Sequence, residues 1–153
     1  MPNTYTSIHI QFVFSVKYRR AVMAPHFESD LYKYITGILQ AHNHKMIAIN
    51  GLADHLPILA GIRPIESISD LCDYMKAGSS NWINHNQFTQ EKFQWLVGSG
   101  AFSYSLSDLP NVIHYIEMQK LAHEPVKFKN EYLSLLNEYN IPFADQYLFE
   151  FFD

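Results

Sequence analysis

The residues that could do chemistry fall in three stretches of this chain. In Met46–Ile62, MIAINGLADHLPILAGI, two extended segments, Met46–Asn50 and His55–Ile62, are joined by a short turn containing Gly51 and Asp54. Strand side chains alternate faces, so Leu56, Ile58, Ala60 and Ile62 form a continuous apolar face that should lie on a core. His55, Pro57, Leu59 and Gly61 take the other face, and His55 makes it the face on which to look for a site. The second stretch, Lys17-Tyr18-Arg19-Arg20, is the densest basic cluster in the chain. It is equally suited to contact phosphates or to be a solvated strand end. The third, NVIHYIEMQKLAH, puts Tyr115 and Gln119 one helical turn apart on a common face, with His123 roughly one further turn along.

Other chemistries find no support. Gly98-Ser99-Gly100 lacks the strand-to-helix glycine fingerprint or the lysine of a phosphate loop. A single cysteine, Cys72, excludes a disulfide framework and a Cys-rich zinc site, and reads as a small core residue. No Ser-His-Asp signature, zinc motif or paired-carboxylate pattern stands out. Net charge is −4, from 11 Lys and Arg against 15 Asp and Glu, where a nucleic-acid binder usually shows a basic excess. A local cluster can override that balance. No apolar run is long enough to span a membrane and the N-terminus lacks a secretion signal, so a cytoplasmic protein is expected.

The elements that must hold these residues follow from periodicity. Ile8, Ile10, Phe12, Phe14 and Val16 alternate with His9, Gln11 and Ser15, which is a half-buried strand. Pro25 opens a helix with Phe27, Leu31, Tyr34, Ile35, Ile38 and Leu39 at helical spacing through about Ala41. His42 and His44 near its end read as caps or surface residues. Ser67 or Ser69 can cap a second helix to about Asn84, with Leu71, Met75 and Trp82 inward. Phe93–Val97 and Ala101–Ser105 read as extended. Pro110 sits in the first turn of a third helix, with Ser107 or Asp108 as its cap. A last helix, about Lys127–Tyr139, carries Phe128, Tyr132, Leu135, Leu136 and Tyr139 inward, and the apolar tail Gln146–Phe152 should dock on this domain or on a partner. The expected architecture is one α+β domain over residues 1–153, an antiparallel sheet with helices packed on one face.

Taken in order, these pieces resemble a known family. They are the strand running into Lys17-Tyr18-Arg19-Arg20, the glycine turn with Asp54-His55 leading a strand, Phe93-Gln94-Trp95, Gly100–Ser105, and Tyr115-Ile116 followed by Gln119 and His123. The set resembles the small single-tyrosine HUH-type transposases of bacterial insertion sequences, the insertion sequence 200-like family, over nearly the whole chain. The resemblance implies a ferredoxin-like or RRM-like fold and a homodimer acting on hairpins at the ends of single-stranded DNA. It implies a divalent metal, magnesium or manganese, held by a His-apolar-His pair and a glutamine. The helix tyrosine attacks the scissile phosphate, leaving a 5′-phosphotyrosine and a free 3′-hydroxyl. Carried over by position, Tyr115 would be the nucleophile, His55 and Gln119 the metal ligands, and Lys17, Tyr18, Arg19 and Arg20 a DNA contact.

A phenol is a poor nucleophile at neutral pH, with a reference pKa of about 10, and a metal at the phosphate would neutralise developing charge and align the groups. Two histidines two apart on a strand share one face, which is the geometric reason for the pair. Here the second position is Pro57, which cannot ligate. Leu96-Val97 and Ala122 stand where relatives tend to carry polar residues or a second histidine. The expectation is a transposase fold whose cutting is impaired or lost, and in the latter case without a metal. The alternatives are a non-enzymatic hairpin-binding protein and a structural dimer module.

Overall fold

The alternation near the N-terminus folds as β1 (His9–Ser15), an interior strand of the sheet. The computed structural model describes residues 5–17, 25–51, 55–122 and 133–141, with backbone alone at 25 and 119–122. Around β1 assemble α1 (Pro25–Ala41), β2 (Lys45–Ile49), β3 (His55–Gly61), α2 (Ile68–His85), β4 (Gly100–Tyr104) and α3 (Leu109–Ala122). The strands pair antiparallel in the order β2-β3-β1-β4. A 3-10 turn, Leu106–Asp108, leads into α3, and residues 133–138 are helical. This is the α+β antiparallel sheet that the alternating patterns predict.

One face of the sheet carries Phe12, Phe14, Leu56, Ile58 and Ala60, all fully buried against Phe27, Leu31, Ile35 and Leu39 of α1 and Leu71, Met75 and Ile83 of α2. Each large side chain withdrawn from water contributes about 1.5–3 kcal/mol, so this layer dominates the stability. Ser67 caps α2, accepting from the Asp70 N–H at 3.0 Å. Both helices end without glycine. Asn43 (φ 66°) and Gln87 (φ 53°) take the left-handed position, while the His44 N–H reaches the Leu39 carbonyl and the Phe88 N–H that of Ile83.

The opposite face is also covered. Leu109 and Ile116 of α3 pack on Ala48 and Leu59, and Leu136 packs on Val13, Leu96 and Phe102. α1 and α2 thus share one face, as expected, and α3 adds a layer on the other. The reason is visible in β1 and β3: Val13 and Leu59 put apolar groups on the second face too, and these need cover.

Several local expectations change. Phe93–Val97 forms no strand; it joins the sheet by a single bridge, Val16 to Trp95, flanked by Lys17 N–H to Gln94 O and Leu96 N–H to Ser15 O. His44 is a buried residue rather than a cap or surface group: its Nδ1 accepts from the Arg63 N–H and its Nε2 lies 2.7 Å from Glu66. His42 stacks on Tyr74 and also approaches Glu66. Trp82 is only partly buried, stacked on Tyr34. Cys72 packs partly buried against the core, and burial raises its thiol pKa. Phe128, Tyr132 and the tail Gln146–Phe152 lie outside the described residues.

Candidate functional site

The face opposite the large core carries the polar side chains of the strands. Along β1 these are His9, Gln11 and Ser15. The register sets Gln11 opposite Leu59 on β3 and Phe102 on β4, and Ser15 opposite His55. His55 is 2 % exposed and Ser15 equally so, so the imidazole opens the strand as an interior group. Pro57 follows on the same face, opposite Val13. The β2 ladder stops at Ile49 with Ile58, one residue short of Pro57, so the donor that proline lacks is not demanded by β2. That is why the sheet tolerates proline in an interior strand.

α3 is set on this face by its apolar stripe and by one polar tie. The Asn50 side-chain amide donates to the carbonyls of Ile116 (2.9 Å) and Glu117 (3.1 Å). Asn50 ends β2 and His55 begins β3, so the later turns of α3 lie at the His55 end of the sheet. Tyr115 is 38 % exposed on α3. It lines a cavity of about 320 Å³ with Gln11, Tyr104, Asn111, Leu135 and Glu138, between α3 and the helix at 133–138.

Tyr115 therefore stands on the helix that covers the face of the sheet to which His55 belongs. The cavity is at Gln11, four residues from Ser15 along β1, and four strand residues span about 13 Å. His55 is not among the described residues lining the cavity. Gln119 lies one turn beyond Tyr115 on α3, about 6 Å along the axis, with only its backbone described. Lys17 continues β1 past Ser15 and so stands at the His55 end, its N–H bonded to Gln94 O. Tyr18, Arg19, Arg20, Asp54 and His123 lie outside the described residues.

Gln11 and Tyr104 are site residues that the motif reading passed over. Gln11 is 4 % exposed, and the Tyr104 hydroxyl donates to its Oε1 at 2.9 Å. Burial, then Tyr139, Glu138 and Asp108, push the Tyr104 pKa up to about 12. Tyr139, whose hydroxyl donates to Ser103 O, is raised by burial and then by the same two carboxylates. Both phenols are protonated donors at neutral pH, in a locally negative field. Gln11 was legible as a polar residue on the second face of β1; its partner Tyr104 needed the β1–β4 register.

A divalent cation would need more than these residues provide. Among the described residues no group of three His, Cys, Asp or Glu side chains could hold a metal. Pro57 offers no donor beside His55, and hard cations prefer oxygen ligands that include carboxylates. The described donor set does not fit such a centre.

Two solved structures share the fold. One, from Deinococcus radiodurans R1 and assigned as a transposase, is 17% identical with a TM-score of 0.63, covering 76% of this chain and 94% of its own. The other, a REP-associated tyrosine transposase bound to a REP hairpin, is 13% identical with a TM-score of 0.61, covering 79% of this chain and 72% of its own. The comparison with curated proteins returns no match. The family model for IS200-like transposases matches residues 4–119, from before β1 to the turn after Tyr115. The chain accordingly belongs to the IS200-like transposase family.

Proposed function

We propose that this protein is a single-tyrosine transposase-like protein that binds DNA hairpins as a homodimer and cuts them weakly. Tyr115 stands at the nucleophile's position, and His55 and Gln119 at what remains of the ligand set. The observation that carries the reading is the family match through Gln119, over a fold in which Tyr115 stays open on the helix covering the sheet. The hairpin bound by the REP-associated neighbour supports single-stranded DNA hairpins as the partner class. Lys17 with Tyr18, Arg19 and Arg20 supplies the phosphate contacts, a local positive group in a chain of net charge −4. A cytoplasmic location suits that partner, and among the described residues no helix is long and apolar enough to cross a membrane.

Transposases of this family are generally metal-dependent. With Pro57 in place of a ligand, this chain's residues bind and orient the DNA while the electrophilic assistance is deficient. The phenol then faces an unassisted phosphate, and attack is slow.

The test uses a 5′-labelled DNA hairpin with a single-stranded flank, with and without manganese. The expected result is hairpin binding that weakens steeply with salt, with little covalent adduct in the native sequence. Pro57→His should gain a metal-dependent 5′-phosphotyrosine adduct, and adding Tyr115→Phe should abolish it. No binding at low salt would overturn the DNA assignment. An abundant adduct in the native protein would overturn the account of Pro57.

A further inference from the structure

We infer that Tyr32 of α1 is a positioning residue for strand cutting: by holding the Gly51 N–H, its hydroxyl sets the junction between β2 and β3 from which the Tyr115 helix and His55 are both placed. The inference rests on the transposase reading above and adds to it a residue outside the nucleophile and ligand positions.

Asn50 and Gly51 follow directly on β2, and each is tied to a different helix. The Gly51 N–H donates to the Tyr32 hydroxyl, which in turn donates to Glu28 Oε1 at 3.0 Å. The Asn50 amide donates to the carbonyls of Ile116 and Glu117, the residues that follow Tyr115. α1 packs on one face of the sheet and α3 on the other, so neighbours in one junction are bound to opposite layers. The path from Tyr32 to the Tyr115 helix is one hydrogen bond at each end and a single peptide unit between them.

Gly51 is also fitted against the strand that His55 opens. It is buried, and a Cβ added there would stand 3.1 Å from Leu56 Cδ1 and 3.2 Å from the Tyr32 hydroxyl oxygen. Leu56 is fully buried and adjoins His55 in β3. The backbone of the junction thus sits between the phenol and the first core side chain of that strand. The sense of the hydrogen bonds is fixed as well. A phenol has one proton; Glu28 takes it, which leaves an oxygen lone pair for the Gly51 N–H. Burial pushes the Tyr32 pKa up and the Glu28 carboxylate adds to this, although the Gly51 N–H pulls the other way, so the hydroxyl keeps its proton at neutral pH. A buried N–H that loses its acceptor must move to find another. Movement of Gly51 carries Asn50, the anchor of α3, and presses on Leu56 beside His55. Attack on a phosphate depends steeply on alignment of the reacting groups, whereas binding through phosphate contacts does not.

The experiment compares Tyr32→Phe, which keeps the ring and removes the hydroxyl, with Ser79→Ala. The latter removes a buried hydroxyl elsewhere, one that donates to Met75 O and accepts from Trp95 Nε1. In the first arm both changes are made in the native full-length protein and the Asn50 side-chain amide is followed by 15N–1H NMR. Tyr32→Phe should move that resonance, and Ser79→Ala should leave it in place. In the second arm both are made in the Pro57→His protein, and adduct formation on the labelled hairpin with manganese is timed beside hairpin affinity. Tyr32→Phe should slow the adduct about a hundredfold, the scale of a misplacement of about 1 Å, with hairpin affinity unchanged. Ser79→Ala should change neither. Glu28→Ala should also slow the adduct, and Glu28→Gln, which keeps an acceptor for the phenol, should restore most of the rate. An unmoved Asn50 amide in Tyr32→Phe, an equal slowing by Ser79→Ala, or a loss of affinity as large as the loss of rate would overturn the positioning role. If the Pro57→His protein forms no adduct, the account of Pro57 fails, and the Asn50 resonance of the native protein still decides the role of Tyr32.

Discussion

Tyr104 illustrates how a single residue can be read in both structural and functional terms. Its hydroxyl fixes Gln11, so Tyr104→Phe removes one hydrogen bond and strands a buried acceptor, at a cost of about 1–2 kcal/mol in chemical denaturation. The raised pKa gives a second signature. The native phenol holds its proton to about pH 12 while the unfolded one releases it near 10.0. The native state binds more protons across that window, so this group's stabilisation is complete below pH 10 and is lost as pH rises toward 12. Midpoints of unfolding measured from pH 8 to 12 should fall less steeply in Tyr104→Phe. Pro57 belongs to the same scale: it is buried in β3, so Pro57→His places an imidazole in the interior and should lower stability by about 1–3 kcal/mol in the same measurement.

For the elements, the placement of α3 decides what Tyr115 can reach. Its polar anchor is Asn50, whose amide serves two late carbonyls of the helix. Asn50→Ala should cost about 1–2 kcal/mol and raise hydrogen exchange in α3 selectively over α1. The ends of α1 and α2 are a separate matter. Gln87 pays for a left-handed backbone that glycine adopts freely, so Gln87→Gly should stabilise the fold by about 0.5–1 kcal/mol. Asn43 tolerates the same conformation, and Asn43→Gly should gain less, both changes being read from urea unfolding midpoints.

The whole molecule is a sheet with apolar layers on both faces, and the two layers differ in weight. Leu59 is fully buried under α3, so Leu59→Ala should cost about 2–5 kcal/mol and detach the Tyr115 helix along with it. The acidic net charge makes DNA affinity depend on few cations. If Arg19 and Arg20 each contact a phosphate, each alanine substitution should lower the slope of log affinity against log salt by about 0.7–0.9. An unchanged slope would remove that cluster from the interface.

What the sequence determined by itself was the set of elements with strong periodicity. Ile10, Phe12 and Phe14 announced β1, Phe27 through Leu39 announced α1, and the ordered motifs from Lys17 to Gln119 announced the family. The failures have a common cause. Phe93–Val97 looked like a strand because local pattern cannot report that its pairing with the sheet stops at one bridge, Trp95 to Val16. His44 looked like a surface cap because Glu66 and Arg63 meet it only through the packing of α1 against the β3–α2 connection. The joining of Gln11 to Tyr104, and of Asn50 to α3, is likewise a matter of strand register and helix docking. Periodicity is a property of neighbours in the chain. The site is made by residues far apart in it, and their distances are set only when the faces pack.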